Sequence, residues 1–254
     1  MSDLFTVKDK VVLITGSSRG LGAGFASGFA EHGAKVIING TNQTTVDQFV
    51  QTIKAKGGQA AGYAFDTSNP QQVILNIAAI EAENGPIDVL INNAGIQRRA
   101  PLEEMSETDW RKVIDINLNA AFIVSKHVAQ GMIARRQGKI INITSLMAEG
   151  ARNSTGNYAA AKGGLKMLTK AMATEWGKFN IQVNAIGPGY FKTELTQSLA
   201  ADTQFDAWVR ERVPLGRWGE PSDLLGAAIF LASKASDYIN GHTIYVDGGW
   251  LAAL

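Results

Sequence analysis

The chain has 254 residues, of which 45% are hydrophobic and 19% charged, and its formal net charge is +1. This composition is typical of a globular protein and gives no electrostatic reason to expect a nucleic acid or an anionic membrane as partner. No cysteine is present, which excludes disulfides and thiolate chemistry. Residues 1–10 lack the features of a signal peptide, and no apolar run approaches the ~18 residues that span a bilayer, so we expect a cytoplasmic protein.

The first elements predict a phosphate-binding turn. A short apolar strand over 11–15 is followed by a glycine-rich turn and by a helical pattern that runs to His32. Glycines let the backbone approach a pyrophosphate, and a helix N-terminus offers free N–H groups and a positive dipole. Dinucleotide binding is therefore predicted for the turn residues Gly16, Ser18, Arg19, Gly20, Leu21 and Gly22. A tight strand-to-helix turn without a ligand is the alternative use of such glycines.

The end of the second predicted strand, 35–39, favours NADP over NAD. NAD-binding sites usually carry an acidic residue at this position, where it binds the ribose 2′-hydroxyl. Here the strand leads into Gly40, Thr41 and Asn42, and the next acidic residue is Asp47. Arg19 could pair with a 2′-phosphate, although it could also be a solvated loop residue. We predict NADP, with Thr41 among the cofactor-binding residues and NAD as the alternative.

Strands and helices then alternate, which predicts a doubly wound parallel sheet. A third strand over 59–65 ends at Asp66, and a fourth over 89–91 leads into Asn92, Ala94 and Gly95. Ligands bind beyond the carboxyl ends of such strands, so these four residues are candidates for cofactor binding. The fold class is therefore α/β, a single-domain Rossmann-type fold over 1–254 with a central parallel sheet flanked by helices.

The second half continues the pattern. A helical stretch over 110–136 is apolar nearly all round, which predicts burial by the sheet and by a second subunit, and Asn117 interrupts its surface. A strand over 139–144 delivers Ser145, and a further strand covers 182–186. The segment 190–219 has no clear sheet signal and is predicted to be a substrate lid. A helix over 221–232 and a strand over 243–246 follow.

Tyr158 and Lys162 lie four residues apart in a predicted helix, which places them on one face. A neighbouring ammonium favours the phenolate, so we expect the pKa of Tyr158 to lie below its reference of ~10. Ser145 could donate a hydrogen bond to the oxygen on which Tyr158 acts. Tyr-x-x-x-Lys alone is common, and a chance surface pair is the alternative.

Cationic residues near the strand ends suggest an anionic substrate. Arg98 and Arg99 could hold a substrate carboxylate or could be solvated loop residues, and Arg152 and Lys192 are further candidates for the carboxylate. Gln97, Glu149, Asn153 and Tyr190 are candidates for substrate hydroxyls, although each could equally serve loop packing. We predict no metal site.

The chain resembles the short-chain dehydrogenases/reductases over nearly its whole length. The resemblance rests on Thr15-Gly-x-x-x-Gly-x-Gly22, Asp66, Asn92-Asn-Ala-Gly95, Asn117, Ser145, Tyr158-x-x-x-Lys162, Asn184, Pro188-Gly189 and Val246-Asp-Gly-Gly249. It implies an NAD(P)-dependent oxidoreductase and a homotetramer, with Asn117, Ser145, Tyr158 and Lys162 as catalytic residues. It also implies cofactor contacts from Tyr158, Lys162, Pro188, Gly189 and Thr193. Tyr158 would be the general acid in reduction, Ser145 would polarise the carbonyl, Lys162 would bind the nicotinamide ribose, and Asn117 would position a water.

Within the family, several segments resemble the gluconate 5-dehydrogenase branch: Asn92–Arg99, Pro188–Glu194 and Arg217-Trp-Gly219. This resemblance implies interconversion of 5-keto-D-gluconate and D-gluconate with NADP. The alternatives are a 2-deoxy-D-gluconate 3-dehydrogenase, a reductase of another deoxy-ketogluconate, a 3-ketoacyl carrier reductase, and a non-catalytic NADP-binding regulator.

Overall fold

The computed structural model describes residues 4–253, apart from the side chain of Leu195. Its centre is a seven-stranded parallel sheet with the order β3-β2-β1-β4-β5-β6-β7. The strands are β1 Val11–Ile14, β2 Lys35–Gly40, β3 Gln59–Ala64, β4 Val89–Asn92, β5 Gly138–Ile143, β6 Ile181–Pro188 and β7 Thr243–Val246. The predicted single-domain doubly wound fold is confirmed, and the order reverses between β1 and β4, which is where such sheets bind ligands.

Helices cover both faces of the sheet. They are α1 Gly20–Glu31, α2 Gln43–Ala55, α3 Pro70–Asn84, α4 Glu107–Ile114, α5 Ala120–Arg135, α6 Gly156–Trp176, α7 Gln197–Ala201, α8 Thr203–Arg212 and α9 Leu225–Ala232. Phe25 and Phe29 of α1 pack on one face, and Ile80 of α3 with Met132 of α5 pack on the other. Burial of these apolar side chains provides most of the driving force for folding. Within residues 4–253, no helix combines the length and apolarity needed to cross a bilayer.

The long helix predicted over 110–136 differs from the structure in two ways. It begins earlier, at Glu107, because the side chain of Ser106 caps it by accepting from the N–H of Asp109. It is also interrupted by a π-helical turn, Asp115–Asn119, which separates α4 from α5. Such turns often occur at functional sites. This one contains Asn117.

Residues 190–219 leave the sheet and return to the same place. The N–H of Gly219 donates to the carbonyl of Tyr190 at 2.8 Å, and the N–H of Lys192 donates to the carbonyl of Gly219 at 3.0 Å. The excursion is therefore closed at its base by backbone hydrogen bonds. It carries α7 and α8, and a single parallel bridge, Phe191–Gly219, joins its own two ends.

Candidate active site

The glycine-rich turn has the backbone that a phosphate site requires. Gly16 and Gly20 have φ of 60° and 58°, which L side chains rarely adopt. At Gly22 a Cβ would lie 2.4 Å from the carbonyl oxygen of Gly16, so only glycine fits the close approach of α1 to the turn. No side chain caps the start of α1 at Arg19. The first N–H groups of this helix are therefore available to an anion.

Two asparagines, the buried Asn39 and the half-buried Asn93, hold this turn, and the sequence did not reveal their role. The Oδ1 of Asn39, at the end of β2, accepts from the N–H of Gly16 at 3.1 Å. The Nδ2 of Asn93 donates to the carbonyls of Thr15 at 2.9 Å and Gly16 at 3.0 Å. Their position in the sequence could have indicated this role, because an asparagine at the end of a buried strand needs local hydrogen-bond partners.

The residues around this turn fit a dinucleotide with a 2′-phosphate. Asn39 turns inward to brace the turn, and Thr41 is exposed, so neither places a carboxylate at the end of β2. The side chain of Arg19 is exposed and lies 3.7 Å from the carboxylate of Glu194 in the 190–219 segment. A phosphate could take the place of this exposed and therefore weak partner.

Asp66, at the end of β3, is prepared to act as an ionised hydrogen-bond acceptor. Its Oδ1 accepts from the N–H of Ser68 at 2.8 Å and from the Ser68 hydroxyl at 2.6 Å. Burial alone would raise the pKa of Asp66, but these hydrogen bonds outweigh it and keep the pKa below its ordinary value. The carboxylate thus stays charged at neutral pH.

Ser145, Tyr158 and Lys162 converge at the carboxyl end of β5. The ammonium of Lys162 lies 5.6 Å from the centroid of the Tyr158 ring and donates to the carbonyl of Ile143 at 2.7 Å. Ser145 hydrogen-bonds to Tyr158, and its Oγ accepts from the N–H of Met147 at 3.1 Å. The structure therefore brings together three of the four residues for which catalysis was predicted.

The predicted pKa direction for Tyr158 is wrong for the chain without cofactor. Burial raises the pKa of Tyr158 above its ordinary value, while the Ser145 hydrogen bond and the Arg99 charge lower it less. Burial also lowers the pKa of Lys162 to about 8, so this ammonium is itself weakened by its surroundings. The cation that lowers the pKa of Tyr158 in this structure is Arg99.

Asn117 completes the site from the π-helical turn. Its Nδ2 donates to the carbonyls of Ile96 and Val113, both at 2.9 Å, and ties the loop after β4 to the helix. Its Oδ1 is buried and has no partner among the described residues. A Cβ at Gly95 would lie 2.6 Å from that oxygen and 3.7 Å from the Nζ of Lys162. An unpaired buried oxygen beside an ammonium is a position at which a water or ligand donor is favoured.

The predicted substrate cations occupy different places. Arg99 is partly desolvated, and the positive charge of Arg152 further lowers its pKa, while Tyr190 and Tyr158 act in the opposite direction. Arg152 donates to the hydroxyl of Tyr190 at 3.0 Å. Arg99 thus lies near Tyr158 and also near the hydrogen-bonded pair of Arg152 and Tyr190.

The other polar candidates are engaged elsewhere. Arg98 is exposed and lies 3.9 Å from Asp109, and Lys192 is 3.1 Å from Glu220. Glu149 is bound by Lys166 and by the hydroxyl of Tyr245. Gln97 accepts from the Nε of Arg99 at 3.0 Å, and Asn153 is exposed. No group of three His, Asp or Glu side chains between residues 4 and 253 is arranged to hold a metal ion.

Comparisons with known proteins agree with this geometry. A family profile described as enoyl-(acyl carrier protein) reductase matches residues 16–251. The chain belongs to the short-chain dehydrogenases/reductases and is an oxidoreductase that acts on CH–OH groups.

Three of its relatives within the family are enzymes that act on sugar acids. A 2-dehydro-3-deoxy-D-gluconate 5-dehydrogenase from Formosa agariphila is 53% identical, and the match covers 99% of this chain and 96% of that protein. A gluconate 5-dehydrogenase from Gluconobacter oxydans is 48% identical, with 99% and 98% covered. A gluconate 5-dehydrogenase from Burkholderia cenocepacia J2315, crystallised in complex with NADP and tartrate, has a TM-score of 0.97 at 46% identity, with 99% of each chain covered.

Proposed function

We propose that this protein is an NADP-dependent oxidoreductase that interconverts 5-keto-D-gluconate and D-gluconate. The observation that carries the proposal is the meeting of Ser145, Tyr158 and Lys162 at the carboxyl end of β5, where the charge of Arg99 also acts on the Tyr158 phenol. A cation beside the phenol gives the site a partner for a ketone that bears a carboxylate. The gluconate 5-dehydrogenase from Gluconobacter oxydans, 48% identical to this chain, supports the same assignment.

The cofactor is held along the carboxyl edge of the sheet. Ser18 and Gly20–Gly22 bind the diphosphate through N–H groups and the dipole of α1, while Arg19 binds the 2′-phosphate. Contacts to the rest of the dinucleotide come from Thr41, Asp66, Asn92, Ala94, Gly95, Tyr158, Lys162, Pro188, Gly189 and Thr193. When bound, NADPH would supply a hydride, which is transferred to the carbonyl carbon of the substrate.

The protein residues supply placement and the proton. In reduction, Tyr158 donates its phenolic proton to the developing alkoxide, and Ser145 donates a hydrogen bond to the same oxygen. The raised pKa of Tyr158 keeps the phenol protonated at neutral pH, as a general acid requires. Lys162 binds the nicotinamide ribose, and the free Oδ1 of Asn117 holds a water that connects Lys162 with solvent. In oxidation of the alcohol, the proton moves in the opposite direction.

The substrate carboxylate is bound at the arginine side of the site. Arg99 is the first partner, with Arg152 and Tyr190 beside it. The exposed Arg98 and Lys192 would attract the anion at longer range. The bound tartrate in the Burkholderia cenocepacia enzyme is itself a hydroxy acid anion, which supports this class of substrate. The 190–219 segment, closed at its base, acts as the lid over the bound substrate.

A second candidate substrate is the 5-keto product of 2-dehydro-3-deoxy-D-gluconate. The 53% identity to the Formosa agariphila enzyme favours it. Both reactions take place at carbon 5 of a six-carbon acid, and the two substrates differ at carbons 2 and 3. Arg99 and Tyr158 serve both substrates equally. Discrimination between the two substrates therefore depends on protein contacts with carbons 2 and 3 of the substrate.

The test is a comparison of kcat/KM for both 5-keto acids with saturating NADPH. We expect the higher value for 5-keto-D-gluconate, and loss of turnover by at least about 100-fold in Tyr158→Phe with NADPH binding retained. A higher kcat/KM for the deoxy substrate would replace the leading assignment by the second. Turnover of 3-ketoacyl thioesters in preference to both acids would reject the sugar-acid class.

We also propose that the chain works as a homotetramer in the cytoplasm. Phe122 of α5 and Met167 of α6 are 47% and 61% exposed although both belong to helices with large apolar surfaces. A second copy would cover such side chains. Light scattering of purified protein tests the assembly, and a monomeric mass at working concentrations would reject it.

A further inference from the structure

Arg152 is held on an aromatic platform formed by the lid helix α8. Its guanidinium carbon lies 4.5 Å from the centroid of the Phe205 ring and 5.8 Å from that of Trp208. Its Nη1 donates to the hydroxyl of Tyr190 at 3.0 Å. Contacts of this kind orient a planar guanidinium, because one face is stacked while the N–H edges stay free to bind.

The platform is itself well anchored. The Tyr190 ring lies within 6.0 Å of the rings of Phe205, Trp208, Trp218 and Trp250. Trp218 donates its indole N–H to Asp206 of α8 at 2.8 Å. The lid helix, the lid base and the C-terminal segment therefore pack as one unit, and Arg152 is attached to that unit although it belongs to the loop before α6.

Arg152 and Arg99 form an uncompensated cationic pair. The charge of Arg152 lowers the pKa of Arg99, so the two groups are close enough to repel each other. None of the ion pairs of the described residues includes either of them. The repulsion between two neighbouring guanidinium groups that lack a carboxylate partner is reduced when an anion binds between them.

We propose that Arg152 is the residue that makes this enzyme specific for carboxylate-bearing ketones, and that Phe205 of α8 is its positioning residue. The inference rests on the proposed sugar-acid function. The lid helix α8 then takes part in recognition, because its Phe205 orients the Arg152 guanidinium that binds the carboxylate. Binding of the acid group and placement of the lid are therefore coupled. A lysine at this position would keep the charge but would lack the planar guanidinium that stacks on Phe205.

The experiment compares an acid with its neutral analogue. L-Sorbose carries a hydroxymethyl group where 5-keto-D-gluconate carries its carboxylate. With saturating NADPH, Arg152→Ala should raise KM for the acid roughly 10- to 100-fold while kcat stays within about threefold, and leave kcat/KM for L-sorbose unchanged. Arg152→Lys should recover less than half of the lost binding free energy.

A double-mutant cycle tests the positioning role. Phe205→Leu removes the π face, keeps an apolar side chain, and should raise KM for the acid by about three- to tenfold. Phe205→Tyr should restore the wild-type KM. In the Arg152→Ala background, Phe205→Leu should add nothing, because there is no guanidinium left to orient. Arg212→Lys is the matched control: Arg212 lies 5.6 Å from the Trp250 ring in the same cluster, and its replacement should leave the acid preference unchanged.

The outcomes separate the inference from the proposed function. Wild-type KM for the acid in Arg152→Ala, with the acid preference of the wild type established, would overturn the inference and leave the proposed function in place. Equal losses for the acid and L-sorbose in Phe205→Leu, or additive losses in the double variant, would reduce Phe205 to a structural residue. A wild-type enzyme without preference for the acid over L-sorbose would overturn the proposed function and the inference with it.

Discussion

Asn157 links the loop that carries Arg98 and Arg99 to the start of α6. Its Nδ2 donates to the carbonyl oxygen of Arg98 at 3.0 Å, and its Oδ1 accepts from the N–H of Tyr158 at 2.7 Å. The asparagine is itself fully buried, and both hydrogen bonds are partly buried. One side chain thereby links the backbone beside Arg99 to the backbone of Tyr158.

Asn157→Ala should weaken substrate binding and stability together. Removal of the amide leaves the Arg98 carbonyl and the Tyr158 N–H without partners, which destabilises the fold by about 1–3 kcal/mol. Because Arg99 loses its fixed position relative to Tyr158, KM for the keto acid should rise more than KM for NADPH. Steady-state kinetics and thermal unfolding measure the two effects, with exposed Asn153→Ala as control. Unchanged kinetics at reduced stability would show that the link is only structural.

The charge of Arg99 should set the pH dependence of alcohol oxidation. In the proposed mechanism, oxidation needs the phenolate of Tyr158, and Arg99 lowers the pKa of this group. In Arg99→Ala the pKa of Tyr158 rises further, so the increase of kcat/KM for D-gluconate with pH should move to higher pH. Arg99→Lys keeps a charge and should move the profile less. A profile that stays in place, or moves to lower pH, would show that another group determines it.

Burial of Lys162 should reduce the stability of the cofactor-free protein near neutral pH. Its side chain is 4% exposed, and burial lowers its pKa from 10.5 to about 8. Below about pH 8 both folded and unfolded chains carry the proton, and the penalty is constant. Between pH 8 and 10.5 only the unfolded chain retains it, so stability rises with pH across this window.

Lys162→Met removes this titration. At pH 7 the variant should be more stable by up to about 3 kcal/mol, less the value of the lost hydrogen bond to Ile143. The advantage should shrink as the pH rises from 8 to 10.5. Urea unfolding of both proteins over this range, without cofactor, measures the difference. A difference that is independent of pH would contradict the assigned pKa.

Arg19 should determine the choice of cofactor. Arg19→Ala removes the guanidinium available to a 2′-phosphate and should raise Kd for NADPH roughly 10- to 100-fold, with little change for NADH. The matched control is Arg111→Ala, which removes another exposed arginine, paired with Glu107 at 2.9 Å. Equal weakening of both cofactors would place the contact of Arg19 at the diphosphate instead.

The elements that the sequence predicted are those with local signals. Buried parallel strands are short continuous apolar runs, which is why β1, β2 and β4 were found close to their true bounds. The start of α3 also has a local cause, because the Asn69 side chain accepts from the N–H of Gln72 at 3.1 Å. The spacing of Tyr158 and Lys162 placed both on one helix.

The features that were missed depend on contacts between distant segments. Sequence alone could not show that Arg99 rather than Arg98 faces Tyr158, because the loop after β4 has no periodicity. The engagement of Glu149 depends on Tyr245, 96 residues away. The pKa direction of Tyr158 depends on burial, which exceeds the effect of the nearby cation. The π-helical turn at Asn117 has no local sequence signal.

The most direct test of the account is the initial rate of oxidation of NADPH by 5-keto-D-gluconate, with NADH measured beside it. We expect rapid turnover with NADPH and D-gluconate as the product, and a kcat/KM for NADH lower by at least about tenfold. Equal or faster turnover with NADH would contradict the role of Arg19. Absence of turnover with both cofactors would contradict the proposed substrate.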